Sequence, residues 1–100
     1  MSGKAAKITI TEKQQAILRK ITRAKTSTVQ QVLRAKIILL AFDKMLNQDI
    51  ATVLQLERHQ VGLWRQRWQQ SFSALVAIEC REPEAALTRA IGQVLSDAPR

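Results

Sequence analysis

Residues 47–68, NQDIATVLQLERHQVGLWRQRW, have apolar side chains at the spacing of two short helices joined by a tight corner. A glycine is favoured at such a corner because the turn often needs a positive φ angle, so Gln55 either adopts a strained conformation or forms another kind of turn. The pattern predicts a helix-turn-helix unit whose second helix covers about residues 57–70. The side chains expected between the two helices are Ile50, Ala51, Leu54, Leu56, Val61 and Trp64.

The second helix of this unit carries polar side chains on the face opposite to its predicted buried side. Arginine can donate two hydrogen bonds to guanine and glutamine can pair with adenine, so these residue types suit the DNA major groove. A glycine in mid-helix costs about 1 kcal/mol relative to alanine, but it would let the backbone approach the bases closely. The predicted base-contacting residues are Arg58, His59, Gly62, Arg65 and Gln66.

Other polar residues are expected to contact the DNA backbone, which positions a protein without reading the sequence. Two of them, Lys4 and Lys7, belong to a basic N-terminal arm that is expected to enter an adjacent minor groove. The remaining predicted backbone contacts are Lys44, Gln48, Gln60, Arg67 and Gln69.

The charge of the chain favours a polyanionic partner. The net charge is +8, and residues 1–78 hold 13 Lys and Arg against 4 Asp and Glu, whereas residues 79–100 hold 3 against 4. The positive charge therefore lies in the same part of the sequence as the helix-turn-helix pattern. Such an excess attracts phosphates whatever the base sequence.

The rest of the sequence predicts an all-α bundle of four to five helices. A first helix begins at a capping box formed by Thr11 and Gln14. A second, over about residues 28–46, is expected to be the central helix of the core, and Asn47 is the expected N-cap of the third. The fourth is expected to end near Gln70 or Ser71. Residues 74–78 are then a short helix or irregular, and a last helix covers residues 82–95.

These elements predict three segments: a flexible basic arm over residues 1–9, the DNA-binding domain over residues 10–78, and a C-terminal helix with the start of a linker over residues 79–100. The N-terminus lacks the apolar stretch of a signal peptide, and Cys80 has no partner for a disulfide. We expect a cytoplasmic, nucleoid-associated protein without a membrane span. One histidine, one cysteine and no cluster of carboxylates argue against an enzyme, a metal, a cofactor or a small-molecule substrate.

Several stretches together resemble the N-terminal DNA-binding region of mariner-superfamily transposases of bacterial insertion sequences. They are residues 33–41 (LRAKIILLA), 47–51 (NQDIA), Leu54, Val61, 64–68 (WRQRW), 81–84 (REPE) and 95–100 (LSDAPR). The resemblance covers about residues 10–100 and implies a homeodomain-like fold, with a C-terminal helical extension, that binds the terminal inverted repeats of the element. The sequence departs from the family at Gln55, Glu57 and Gln60, where glycine, serine and threonine are usual.

The acidic catalytic triad of those transposases belongs to a downstream domain, and the sequence here has none of it. The resemblance therefore implies a non-enzymatic DNA-binding part, with double-stranded DNA as partner and a homodimer or a separately encoded catalytic half as further partners. Two alternatives stay open. One is a small DNA-binding transcriptional regulator. The other is a helical dimerisation module whose interface is formed by residues 75–78 and the last helix.

Overall fold

The protein is all-helical in the computed structural model, which describes residues 8–96. The predicted arm residues Lys4 and Lys7 lie outside the described residues. Five helices are present in this part of the chain, at the upper end of the predicted number, and it contains no strand. They are α1 (Glu12–Arg23), α2 (Val29–Phe42), α3 (Asn47–Leu54), α4 (Arg58–Arg81) and α5 (Glu84–Ser96).

Helices α1 and α2 both begin with a capping box. At the start of α1 the Gln14 amide N–H donates to Thr11 Oγ1 at 3.1 Å, and Gln14 Oε1 accepts from the Thr11 amide at 3.2 Å. Thr28 and Gln31 form the equivalent pair at the start of α2. Each box satisfies two amide groups that the first turn of a helix leaves without partners. The capping box predicted at Thr11 is confirmed.

Helix α2 lies at the centre of the bundle, as predicted. It packs against each of the other four helices, and its core residues Ala35, Ile37, Ile38 and Ala41 are at most 4% exposed. It ends at Phe42, four residues earlier than expected, because Lys44 adopts a left-handed conformation with φ 68°. This turn lets the Met45 amide donate to the Leu40 carbonyl at 3.1 Å, which terminates the helix.

The corner between α3 and α4 has the conformation that normally requires glycine. Gln55 lies in the left-handed region, with φ 59° and ψ 46°. The Leu56 amide donates to the Ala51 carbonyl at 2.9 Å, and the Gln55 amide donates to the Thr52 carbonyl at 3.4 Å. This pair of bonds is the Schellman arrangement that ends a helix. Of the two possibilities for this corner, the structure therefore has the strained glutamine.

The N-cap predicted at Asn47 is wrong. The cap position is Leu46, which makes no side-chain capping bond, and Asn47 is the first residue of α3. The Asn47 side chain turns instead towards α4, where its Oδ1 atom is buried without a hydrogen-bond partner among the described residues.

Helix α4 does not end near Ser71 as predicted but continues to Arg81, with the serines at 71 and 73 inside it. Two serines are weak helix breakers, and the buried stripe of Val61, Trp64 and Trp68 continues with Leu75, which is 2% exposed. Burial of Leu75 therefore extends the helix through the serines. Glu82 is extended, as expected for a residue before proline, and this ends α4.

Helix α5 belongs to the same core as the other helices. Leu87, Ile91 and Leu95 are at most 1% exposed, and α5 packs against α1, α2 and α4. The C-terminal helix predicted as a separate extension is thus an integral part of the bundle.

The last two residues of the predicted arm are also packed on the bundle. Ile8 is buried, and the Thr9 carbonyl accepts a hydrogen bond from the Trp68 indole at 3.0 Å. The Thr9 amide donates to Gln69 Oε1 at 3.1 Å. Residues 8 and 9, which the prediction assigned to the arm, are therefore packed on the folded bundle.

Candidate nucleic-acid interface

The inner side of α4 fixes the orientation of its outer side. Val61, Trp64 and Trp68 are 0%, 6% and 1% exposed, as expected for core residues that anchor the helix. The Trp68 indole N–H donates to the Thr9 carbonyl at 3.0 Å, so this donor is used within the protein. The opposite side of the helix must then face solvent.

Among the polar side chains on that outer side, His59, Gln66 and Gln70 are all exposed. We call these three residues the reading face. They follow one another at intervals of seven and four residues, which keeps them on one side of a helix. His59 and Gln66 belong to the predicted base-contacting residues, whereas Gln70 was not among them. Its spacing of four residues from Gln66 was the signal that could have found it.

No carboxylate of α4 lies near the reading face, since residues 58–78 contain no Asp or Glu. Arg58, the first residue of the helix, is exposed and brings a positive charge to its N-terminal end. Gln60 is exposed too, but on the flank that lines a pocket of about 200 Å³ together with Trp64 and Leu56. Arg58 therefore suits an approaching phosphate or base edge better than Gln60 does.

Arg65 does not lie on the outer side of α4, which contradicts its predicted role as a base reader. Its side chain is 5% exposed, and Nη1 donates to the Met45 carbonyl at 3.2 Å. Burial lowers the pKa of its guanidinium because the charged form is removed from solvent. Arg65 directly follows the buried Trp64 in α4, and its side chain extends to the turn between α2 and α3. Its structural role is to join α4 to that turn.

Gly62 also turns out to face a neighbouring helix. A Cβ atom added to it would lie 3.5 Å from Asn47 Nδ2, which is an ordinary van der Waals distance. The missing side chain therefore points at the start of α3, and the approach of the backbone to the bases at this residue stays a prediction. An alanine would fit here without a shift of the backbone.

Two of the predicted phosphate contacts make bonds within the protein. Arg67 is half-buried, and its Nε donates to the Val94 carbonyl at 3.2 Å in the last turn of α5. Gln69 is half-buried and pairs with Thr9. Both side chains are therefore engaged in holding neighbouring segments against α4. Sequence spacing could not show this, because the partners come from distant parts of the chain.

Arg34, which the sequence analysis did not single out, supports the same end of α5. Its guanidinium lies 4.1 Å from the centroid of the Trp64 ring, and Nη1 donates to the Leu95 carbonyl at 2.8 Å. Burial, and to a smaller degree the charge of Arg67, lower the pKa of Arg34. Together Arg34 and Arg67 bond the carbonyl groups at the negative end of the α5 dipole. These cations stabilise the bundle.

Two other predicted contacts to the DNA backbone, Lys44 and Gln48, are exposed to solvent, unlike Arg67 and Gln69. Lys44 and Gln48 are both exposed, Lys44 in the left-handed turn after α2 and Gln48 in the first turn of α3. They lie on either side of Met45, whose carbonyl is bonded by Arg65 of α4. The α2–α3 turn is therefore held against α4 with these two polar side chains in solvent.

Comparison with known proteins gives no relative. No protein-family model matches the chain, and no curated protein or solved structure matches it either.

Residues 8–96 contain neither a candidate membrane span nor a candidate metal site. Within this range, no helix has both the length and the apolar character needed to cross a membrane. The same residues contain no group of three or more His, Cys, Asp and Glu side chains arranged to hold a metal ion. Cys80 is exposed and forms no disulfide.

Proposed function

We propose that this protein binds double-stranded DNA in a sequence-specific manner through a homeodomain-like helix-turn-helix formed by α3 and α4. The observation that carries the proposal is the reading face: His59, Gln66 and Gln70 are exposed on one side of a helix whose other side is anchored by two buried tryptophans. Side chains held in this way can enter a major groove with little loss of conformational freedom, because the helix that carries them is already ordered.

The electrostatics of the molecule support the same proposal. The chain carries a net charge of +8, and the outer side of α4 has no carboxylate between residues 58 and 78. Arg58 lies at one end of the reading face, and the exposed Lys44 and Gln48 lie at the neighbouring α2–α3 turn. In this arrangement His59, Gln66 and Gln70 read bases, while Arg58, Lys44 and Gln48 contact the backbone or the adjacent base edge.

The resemblance to mariner-superfamily transposases supplies the identity of the DNA in this proposal. We propose that the sites are the terminal inverted repeats of an insertion sequence and that the chain acts as a DNA-binding part without the catalytic residues. A homodimer or a separately encoded catalytic half would supply the remaining functions. A small transcriptional regulator would use the same α3–α4 surface and would differ in the location of its sites.

The alternative of a dimerisation module loses its main support. That reading required the apolar residues 75–78 and those of the last helix to form an interface between two chains. Leu75, Leu87, Ile91 and Leu95 are at most 2% exposed within a single chain, and Ile78 packs against the same core. These side chains are therefore used in holding one molecule together.

Selection of bound duplexes from a random pool tests the proposal directly. We expect a common site of a few base pairs to emerge, and the selected duplex to bind at least about a hundredfold more tightly than a scrambled duplex of the same composition at fixed salt. Equal affinity for the two duplexes would contradict sequence-specific binding and leave only electrostatic attraction.

A matched pair of arginine variants tests where the DNA contacts the protein. Arg58→Ala removes an exposed charge at the start of α4, and Arg89→Ala removes an exposed charge from α5. We expect Arg58→Ala to weaken binding to the selected duplex by about 1–3 kcal/mol, and Arg89→Ala to leave it nearly unchanged. If the two variants lose the same affinity, the contact is not local to α4.

A further inference from the structure

A second basic surface lies on α1, away from the α3–α4 corner. The inner side of α1 is formed by Gln14, Ile17, Leu18 and Ile21, all of them buried. Its outer side carries exposed cations with Glu12 as the one carboxylate of the helix. We call this outer side the α1 basic face, and it consists of Lys13, Arg19, Lys20 and Arg23.

The stability of α1 accounts for only part of this charge. Lys20 and Arg23 lie in the last turn, where positive charge interacts favourably with the helix dipole. Lys13 lies in the first turn, where positive charge is unfavourable, and Arg19 lies in the middle, where the dipole has little effect. The core does not need these side chains either, since α1 packs on α2 and α5 through its opposite side.

We propose that the α1 basic face binds the phosphate backbone of duplex DNA. The face extends over about 15 Å between Lys13 and Arg23, at 1.5 Å per helical residue. Duplex DNA presents one phosphate per about 1.7 Å of its axis, so several phosphates lie within reach of such a stripe. Long, flexible lysine and arginine side chains on a helix surface suit phosphates, because contacts of this kind need no fixed geometry with a base edge.

This inference rests on the proposed function for the choice of DNA as the polyanion, but it concerns a different surface and a different property. The reading face is expected to determine which sequence is bound. The α1 basic face is expected to raise the affinity for every duplex alike, and to increase the dependence of binding on salt.

Two triple variants with the same loss of charge provide the test. The first, Arg19→Gln, Lys20→Gln and Arg23→Gln, neutralises most of the α1 basic face with residues that favour helix. The control, Lys36→Gln, Arg81→Gln and Arg89→Gln, removes three exposed cations from other helices. Affinity for a random-sequence duplex is measured across a range of salt concentrations, with circular dichroism and thermal unfolding confirming that both variants are folded.

The α1 variant is expected to lower the slope of log affinity against log salt by about 2–3, at about 0.9 per phosphate contact, and to reduce affinity at 0.1 M salt by at least about tenfold. The control is expected to change affinity by less than about threefold, because charges beyond about 10 Å are largely screened at this salt concentration. Equal effects of the two variants would overturn the proposal.

Two further measurements distinguish this proposal from sequence-specific binding by the reading face and from binding to an anionic membrane. The affinity ratio between the selected and the scrambled duplex is expected to be the same in the α1 variant as in the unmodified protein. A ratio near one in the unmodified protein would refute sequence-specific binding while leaving the α1 test intact. Binding to phosphatidylserine vesicles is measured in parallel. Loss of vesicle binding with unchanged DNA binding would overturn the proposal in favour of an anionic membrane.

Discussion

Replacement of Gln55 by glycine is expected to stabilise the protein. Gln55 has φ 59° and ψ 46°, and it is exposed at the corner between α3 and α4. A left-handed conformation costs an L-residue roughly 1–2 kcal/mol, and glycine removes that cost. Glycine also raises the conformational entropy of the unfolded chain, and this lowers the free energy of unfolding by about 0.4–1 kcal/mol. The net gain is therefore about 0.5–1 kcal/mol in the free energy of unfolding.

The assay is urea unfolding followed by tryptophan fluorescence. Trp64 and Trp68 are the two tryptophans of the chain and both are buried, so their emission changes when the core opens. The midpoint is expected to rise without a change in m-value. In thermal unfolding the same gain corresponds to an increase in Tm of about 3–6 °C for a domain of this size.

A second variant at the same residue, Gln55→Ala, is the control. Alanine removes the side chain but keeps the steric cost of a positive φ, so stability is expected to change little. If Gln55→Gly is no more stable than Gln55→Ala, the backbone strain inferred at this corner is refuted. Affinity for DNA is expected to be the same in all three proteins, because Gln55 is not among the proposed contacts.

Three further substitutions separate structural residues from reading residues. Arg65→Ala is expected to lower the free energy of unfolding by about 1–3 kcal/mol, since the Met45 carbonyl loses its donor, while the preferred DNA site stays the same. A stable Arg65→Ala protein with an altered site would contradict the burial of this side chain. Trp64→Ala is expected to cost about 3–5 kcal/mol and to leave much of the protein unfolded by circular dichroism at room temperature. Gln66→Ala is expected to keep the stability of the unmodified protein and to weaken binding by about 1–3 kcal/mol, with relaxed preference at one base pair when site selection is repeated.

The helices and the core were largely predictable from the sequence, because helical periodicity and capping act over a few neighbouring residues. The capping box at Thr11, the central position of α2 and the burial of Trp64 are confirmed. The end of α4 was not predictable in the same way. Two serines resemble a break locally, whereas the burial of Leu75 depends on the other helices.

The candidate site was predictable only in part, for a related reason. His59 and Gln66 lie directly opposite the buried stripe, and periodicity alone places them in solvent. Arg65, Arg67 and Gln69 lie on the flanks of α4, where the outcome depends on whether a distant carbonyl or side chain is within reach. The partners at Met45, Val94 and Thr9 come from other segments, so no local pattern reveals them. A long arginine side chain on a helix flank is therefore a poor indicator of a surface contact.

The length of α4 has a mechanical consequence for any ligand of its outer side. Its 24 residues extend over about 36 Å at 1.5 Å per residue, in a molecule whose longest dimension is 40 Å. Its C-terminal half is held by the buried Leu75 and by the Thr11 hydroxyl, which donates to Glu79 Oε1 at 2.7 Å. Because no break separates the two halves, the N-terminal turns cannot tilt unless the far end tilts with them. The buried C-terminal half of α4 therefore constrains the orientation of its exposed N-terminal turns.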